Sequence, residues 1–307
     1  MPLKKIIFIV GPTSVGKTPV SFVLAKKLKS EIISCDSMQV YREISIVNNK
    51  PPKEFLKKIP HRLVGDVSIS KNYDVAAFQK RVLAAIRTVH RKNKVPIIAG
   101  GSGFYMKALL DGIFQKKAKD ERLRRQLEEE AEKKGRAALY ARLKAIDSVA
   151  ASKIHPNDTR RIIRALEVFE ITKKPISELQ KTREGLWGRY DIKVFFLNRE
   201  RGELYLRINR RVEEMFEDGL ISEIRALAKK KWSKTAGAII GLREVKGLLS
   251  GEFDITRATE LMKQNTRRYA KRQLTWFRND HRLMEITVSN KDTPEDVAKK
   301  ILKRIKG

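Results

Sequence analysis

Apolar positions along the chain change their spacing from one segment to the next, and those changes set out an α/β fold. Residues 4–10 hold the unbroken apolar run Ile6-Ile7-Phe8-Ile9-Val10, the pattern of a strand covered on both faces and so of a parallel sheet. Helical spacing follows from Pro19 to Leu28, then a second short strand, Glu31-Ile32-Ile33-Ser34-Cys35. Strand, helix, strand is a βαβ unit, whose right-handed crossover puts the second strand beside or near the first. Between 42 and 72 periodicity is weak and Pro51-Pro52 and Pro60 interrupt it, which predicts a long loop with short pieces of structure; such loops are commonly functional. From Tyr73 to Arg91 the spacing of Val75, Phe78, Val82, Ala85, Ile86 and Val89 makes one helix face. Further strands are expected at Val95-Pro96-Ile97-Ile98-Ala99, at Ile192 to Leu197 and at Met284 to Val288.

The pattern turns to charged helix from Gln115, so a helical insertion is expected over 115–185, dividing an α/β core into 1–114 and 186–307. The charge run at its start, Lys116 to Arg125, reads most simply as a solvated face. Further on, Asn157 or Asp158 can cap a helix on which Arg160, Arg161 and Arg164 form a basic face. That face is a candidate rail for a nucleic-acid backbone. Near the end, Tyr269, Trp276 and Phe277 alternate with Arg267, Arg268, Lys271, Arg272 and Arg278, a mixture that suits phosphate contacts together with base stacking.

The first strand runs into Gly11-Pro12-Thr13-Ser14-Val15-Gly16-Lys17-Thr18. This G-x-x-x-x-G-K-[ST] pattern, with a strand before it and a helix after it, is a phosphate cradle. Its glycines bring backbone N–H groups close to an anion, Lys17 adds a mobile positive charge, and the Thr18 hydroxyl suits Mg²⁺. The helix that follows aims its positive end at the same place. In a parallel sheet, ligands bind beyond the carboxyl ends of the strands, and the second strand delivers Asp36-Ser37-Met38-Gln39 to that edge. Asp36 there can coordinate Mg²⁺ through water, take a proton from an acceptor, or simply cap a helix. After the third strand, Gly100-Gly101-Ser102-Gly103 allows a close backbone approach or forms a plain turn. The cradle alone does not say which phosphate it holds.

Charge changes the picture of the partner. In 307 residues, 67 Lys and Arg face 36 Asp and Glu, for a net charge of +31. An excess this large answers to a polyanion, with nucleic acid the first candidate and an acidic membrane surface the second. Cys35 is the one cysteine, which excludes an intrachain disulfide and a Cys-based zinc site. No apolar run has transmembrane length and the start lacks a signal-peptide pattern; a soluble, cytoplasmic protein without membrane contact is expected.

Five blocks in order resemble one family, the tRNA dimethylallyltransferases, also called tRNA isopentenyltransferases. They are Gly11 to Thr18, Glu31 to Tyr41, Gly100 to Tyr105, His155 to Glu167, and Tyr269 to Phe277. The resemblance implies a P-loop NTPase-like α/β core, mainly parallel, with an inserted helical domain. It also implies transfer of a dimethylallyl group from dimethylallyl diphosphate to N6 of the adenosine 3′ of the anticodon, position 37 of tRNA, with Mg²⁺ as cofactor and diphosphate released. The cradle would then hold the diphosphate of a prenyl donor. By the same resemblance Thr13 contacts the oxygen bridging prenyl group and diphosphate, Arg207 and Arg211 hold the diphosphate from the other side, and Asp36 accepts the proton of the amine. Ser37, Met38 and Gln39 would line the adenosine position, while Ser102, Arg160, Arg161 and Arg164 would contact the tRNA, whose anticodon stem-loop the inserted helices clasp. A monomer is expected. Three places depart from the family's usual pattern: Val47-Asn48-Asn49-Lys50-Pro51 stands for Gly-Thr-Ala-Lys-Pro, His61-Arg62 for a histidine pair, and Gly241-Leu242 for Gly-Tyr.

Two other readings share some of these features. A small-molecule kinase has the cradle and an aspartate after the second strand, but it leaves the arginine-rich helix unexplained. A tRNA-binding protein with an inactive cradle leaves the intact Gly16, Lys17, Thr18 and Asp36 unexplained.

Overall fold

Ile6 to Val10 are sealed from solvent in the computed structural model, which describes residues 3–114 and 120–306. They form β1 (Lys5–Val10) near the middle of a sheet with β2 (Ile32–Ser34), β3 (His61–Arg62), β4 (Ile97–Gly100), β5 (Asp191–Asn198) and β6 (Leu283–Thr287). The strand order is β3-β2-β4-β1-β5-β6 and every pairing is parallel. β4 therefore lies between β1 and β2, so the first crossover spans one strand. Helices complete the layers: α1 (Lys17–Lys27), α2 (Lys53–Lys58), α3 (Val75–Arg91) and α4 (Gly103–Leu110) come before the helical insertion. The face expected on α3 is buried from Phe78 to Val89, with Val75 at its margin. The weakly patterned stretch 42–72 holds only α2 and the two-residue β3.

The chain divides into two compact units, Met1–Ala108 with Trp187–Gly307, and Leu109–Leu186. The second unit contains α5 (Glu121–Ile146), α6 (Ser148–Ala151), α7 (Thr159–Thr172) and α8 (Ile176–Lys181) around a core that includes Leu127, Leu143, Ile162 and Leu166. Phe114 packs on this core, and Leu186 N–H donates to Leu109 O at 2.8 Å, so residues 109–114 go with the helices. The first residues of the sequence-expected insertion, 115–119, and with them all three lysines of its charge run, lie outside the described residues. α5 is broken at Gly135, where φ is +80°. Glu167 is fully buried and gathers Arg124 and Arg164, each at 2.7 Å, with the N–H of Asp120 at 3.0 Å. Burial by itself would raise this carboxyl, but those bonds outweigh it and hold it below its ordinary range.

The remaining elements, α9 (Arg201–Glu217), α10 (Leu220–Ala226), a 3₁₀ turn at Ala236–Ala238, α11 (Leu242–Leu249), α12 (Ile255–Arg278) and α13 (Pro294–Lys306), belong to the first unit. α12 packs on α9 and α11, and α13 on α1. α12 corrects the aromatic part of the sequence reading at one position, Phe277. Phe277 is 1% exposed and packs on Phe196 of β5, so its ring fills the interior and is not presented to bases, while half-buried Trp276 lies against Gly103. No helix among the described residues is long and apolar enough to cross a membrane.

Strand register brings the ligand edge together. Val10 pairs with Gly100 and with Phe196, and Ser34 pairs with Ala99, so β1, β2 and β4 end side by side. Gly100 is where the ends touch: a Cβ there would sit 2.0 Å from Cys35 O, a backbone atom that cannot swing away. Gly100→Ala is expected to lower stability by about 1–3 kcal/mol, the usual range for forced overpacking, measured by urea unfolding.

Candidate active site

Gly16 opens α1 with φ +109° and no side-chain cap, and no acidic residue occupies the first turn. The first N–H groups of α1 are thus left to an anion outside the protein. Lys17 reaches back over the loop to donate to Pro12 O at 2.7 Å. Two arginines of α9 reach the loop from the far side: Arg207 Nε donates to Ser14 O at 3.0 Å, and Arg211 Nη1 donates to Thr13 Oγ1 at 2.6 Å. Because Thr13 Oγ1 accepts from a cation, its own O–H proton is free to be given to a ligand.

A cavity of about 700 Å³ in the first unit is lined by Thr13, Ser14, Gly16, Lys17 and Thr18, by Asp36 to Gln39, and by Arg207 and Arg211. Of the loop residues expected to hold the donor, Gly11, Pro12 and Val15 are buried and do not line it. Ser102 is set behind the wall, its Oγ 3.4 Å from Ser37 N. Asp36 Oδ1 accepts the N–H of Met38 at 2.8 Å and of Gln39 at 3.4 Å. No helix starts at Asp36, so it caps none: one oxygen closes a turn while the carboxylate stays in the cavity wall. Gln39 is committed to the protein at both ends, accepting from Ser34 Oγ at 2.9 Å and donating to Asn49 O at 3.0 Å.

In the other unit, Asp158 caps α7 by accepting from Arg161 N at 3.1 Å, as one of the two expected caps. Arg160 is exposed, Arg161 is 69% exposed although paired with Asp158, and Arg164 is bound to buried Glu167 and lies over the Phe114 ring. The basic face thus presents Arg160 and Arg161, while Arg164 also serves the unit's own core.

Gln273 and Glu223 carried no signal of their role in the sequence, whereas Tyr269 and Arg272 stood in the basic and aromatic alternation and His61 among the departures from the family pattern. Gln273 of α12 accepts from Thr13 N at 2.9 Å and donates to Gly101 O at 2.8 Å, tying the loop after β1 to the loop after β4. Tyr269 and Arg272, one face of the same helix, line the cavity. Glu223 of α10 takes the N–H groups of Ser45, Ile46 and Val47 and so fixes the wall segment Val47-Asn48-Asn49. His61 also lines the cavity, with Nδ1 against Ile59 O at 2.7 Å, and its burial lowers its pKa. A glutamine or glutamate within a helix becomes a loop anchor only through tertiary contact, so position in the sequence could not single them out.

Electrostatically the wall is cationic and underpaired. Neither Lys17 nor Arg211 forms an ion pair within the described residues. Burial pushes Lys17 down to about 8, Asp36 opposing the shift and Arg211 adding to it; burial likewise takes Arg211 down to about 10, against the pull of Asp36 and Glu214. Cations drawn largely out of water without bonded anions are costly. An anionic ligand reverses that cost.

A phosphate loop between strand and helix, at the carboxyl edge of a parallel sheet and faced by two arginines, defines a P-loop NTPase-like α/β protein with a helical insertion. The comparisons narrow the class. A family model described as IPP transferase matches residues 39–280. The chain is 43% identical over 307 residues, 99% of its length and 98% of the relative's, to a tRNA dimethylallyltransferase of Alkaliphilus oremlandii. It is 42% identical over 290 residues, 94% of its length and 88% of the relative's, to that of Halothermothrix orenii. Among solved structures, the tRNA isopentenylpyrophosphate transferase of Bacillus halodurans superposes with a TM-score of 0.71 at 36% identity, covering 99% of this chain and 97% of that one. A eukaryotic dimethylallyltransferase acting on tRNA gives 0.83 at 30% identity, covering 99% and 78%. The chain belongs to the IPP transferase family.

The Lys17 shift has a measurable sign. Its folded pKa lies below the unfolded value, so the penalty is full below pH 8 and fades as pH rises toward 10.5. In the ligand-free protein Lys17→Met is expected to add on the order of 2 kcal/mol at pH 7 and almost nothing above pH 10.5, as read by chemical denaturation. The same variant should lose inorganic diphosphate binding, and the wild-type affinity should fall as pH passes 8.

Proposed function

We propose that the chain is a tRNA dimethylallyltransferase, moving a dimethylallyl group from dimethylallyl diphosphate to N6 of the adenosine at position 37, 3′ of the anticodon. The observation that carries the reading is that Asp36 and the Gly11–Thr18 loop face one cavity. One end suits a leaving diphosphate, and the other offers a carboxylate to an incoming amine.

The N6 lone pair forms a bond to C1 of the prenyl group as the C1–O bond breaks, its electron pair leaving with diphosphate. The N6 proton passes to Asp36. An adenine amine is a weak nucleophile because its lone pair is delocalised into the ring, so removing the proton as the N–C bond forms is where a base helps. Charge grows on the leaving oxygens, and Lys17, Arg207, Arg211 and the first N–H groups of α1 are arranged to meet it. Thr13, with Arg211 donating to its oxygen, donates a hydrogen bond to the oxygen bridging prenyl group and diphosphate and keeps its proton. The adenosine has to leave its stack first, at a cost of a few kcal/mol; Ser37 and Met38 line the position it takes. Exposed Arg160 and Arg161 supply phosphate contacts to the anticodon stem-loop, which gives the +31 charge its partner.

Mg²⁺ fits the donors present. No group of three or more His, Cys, Asp and Glu forms a protein cage among the described residues, and Mg²⁺ ordinarily uses one or two protein oxygens, water and substrate phosphates. Thr18 and Asp36 are oxygen donors in the cavity wall that would hold it. When bound it would neutralise charge on the diphosphate. The reading includes a monomer working in the cytoplasm. A kinase reading is not favoured, since no P-loop kinase stands among the relatives named above.

Incubation with labelled dimethylallyl diphosphate, Mg²⁺ and unmodified tRNA carrying adenosines 3′ of the anticodon should place the label in tRNA. No incorporation would overturn the proposal. Asp36→Ala should bind both substrates and lose on the order of 10²–10⁴ in rate, the range for a general base; loss of donor binding instead would assign Asp36 to the metal.

A further inference from the structure

Asn48 lines the cavity at 7% exposure, and its two amide ends are treated differently. Nδ2 donates to Met38 O at 3.0 Å, whereas Oδ1 is buried and accepts from no group among the described residues. Turning the amide over would not relieve this, because Met38 O would then face an oxygen. Ser14 Oγ, Ser21 Oγ and Arg211 Nε are also buried in the wall without a partner among the described residues. Hydroxyls can turn to donate or accept, and Arg211 Nε can only donate. Asn48 Oδ1 is the one of these four that can only accept.

Met38 also holds Asp36, its N–H donating to Oδ1 at 2.8 Å. A single residue therefore fixes two acceptors in one wall, a carboxylate through its N–H and an amide through its carbonyl. A primary exocyclic amine has two N–H groups and needs two acceptors. We propose that Asn48 Oδ1 accepts the N–H of the acceptor adenosine that Asp36 does not take, making Asn48 a substrate-contacting residue that orients the amine. The inference rests on adenosine being the acceptor. With both N–H groups held, the plane of the amine is fixed, and with it the perpendicular axis of the lone pair along which the prenyl carbon has to approach. The proton that goes to Asp36 leaves; the one held by Asn48 remains on the product's secondary amine. A base without the amine would leave Asn48 Oδ1 buried and unpaired, which is how such a site rejects an analogue.

The test separates Asn48 from Asp36 by measuring binding to Asp36→Ala, which should bind without turnover. Two anticodon hairpins are used, one with adenosine and one with purine riboside, which lacks the amine, at the acceptor position. Asp36→Ala should bind the adenosine hairpin roughly 10-fold more tightly, the worth of one buried hydrogen bond. Adding Asn48→Ala should remove the preference, while adding Asn48→Thr, whose hydroxyl can accept, should keep part of it. Equal binding of the two hairpins by Asp36→Ala would overturn the assignment, and this comparison needs no change at Asn48. A preference surviving in the Asp36→Ala, Asn48→Ala protein would overturn it as well. Failure of the acceptor reading shows separately, as wild-type protein that leaves the adenosine hairpin unlabelled.

Discussion

Two positive charges, Lys17 and Arg211, are held where burial lowers their pKa values and where no carboxylate among the described residues forms an ion pair with them. That constraint organises the first unit. The loop that carries Lys17 needs a strand and a helix to aim it, and Arg211 needs α9 placed over that loop. Asp36 offsets part of the cost from the cavity wall without bonding either cation, which leaves it free for an acceptor. A carboxylate paired directly with Lys17 would stabilise the protein and close the site. What destabilises the fold locally is what makes it bind a diphosphate, and the rest of the sheet has to be stable enough to carry it.

The parts legible in the sequence were those whose physics is local. An apolar run marks a doubly covered strand, a glycine-rich loop between strand and helix marks a cradle, and the end of β2 marks the place for Asp36. Strand order was less accessible: β4 enters between β1 and β2, and a βαβ pattern alone leaves that gap open. Longest in reach was α12. Its basic and aromatic alternation looks like a nucleic-acid surface, yet helical geometry puts Gln273 and Phe277 on the buried side and Arg268 and Lys271 outside. Arg164 was similarly ambiguous, because its partner Glu167 becomes a buried carboxylate only once α5 and α7 pack. Glu223 and Gln273 act through neighbours more than 150 residues away in the chain, and no spacing rule finds them.

The net charge of +31 is divided in use. Some of it is bound internally, as at Glu31, where Arg62 and Lys92 close on a buried carboxylate at 2.7 and 2.6 Å. Some lies in the cavity, meeting a small anion at close range. The exposed arginines remain, each worth little alone and effective together on a polyanion in a salt-dependent way. A single composition figure thus covers three physical situations that only the structure separates.

The bonds that Gln273, Lys17, Arg207 and Arg211 make to the Gly11–Thr18 loop have a thermodynamic consequence for the ligand. The Thr13 amide, the Pro12 and Ser14 carbonyls and the Thr13 hydroxyl are all engaged by the protein itself, so the loop's shape is fixed when the chain folds. Ordering even a few loop residues costs on the order of 1–2 kcal/mol each, and a five-carbon diphosphate has few atoms with which to supply it. Preorganisation moves that entropy loss from binding to folding, and leaves the contacts of a small donor available for holding and activating it.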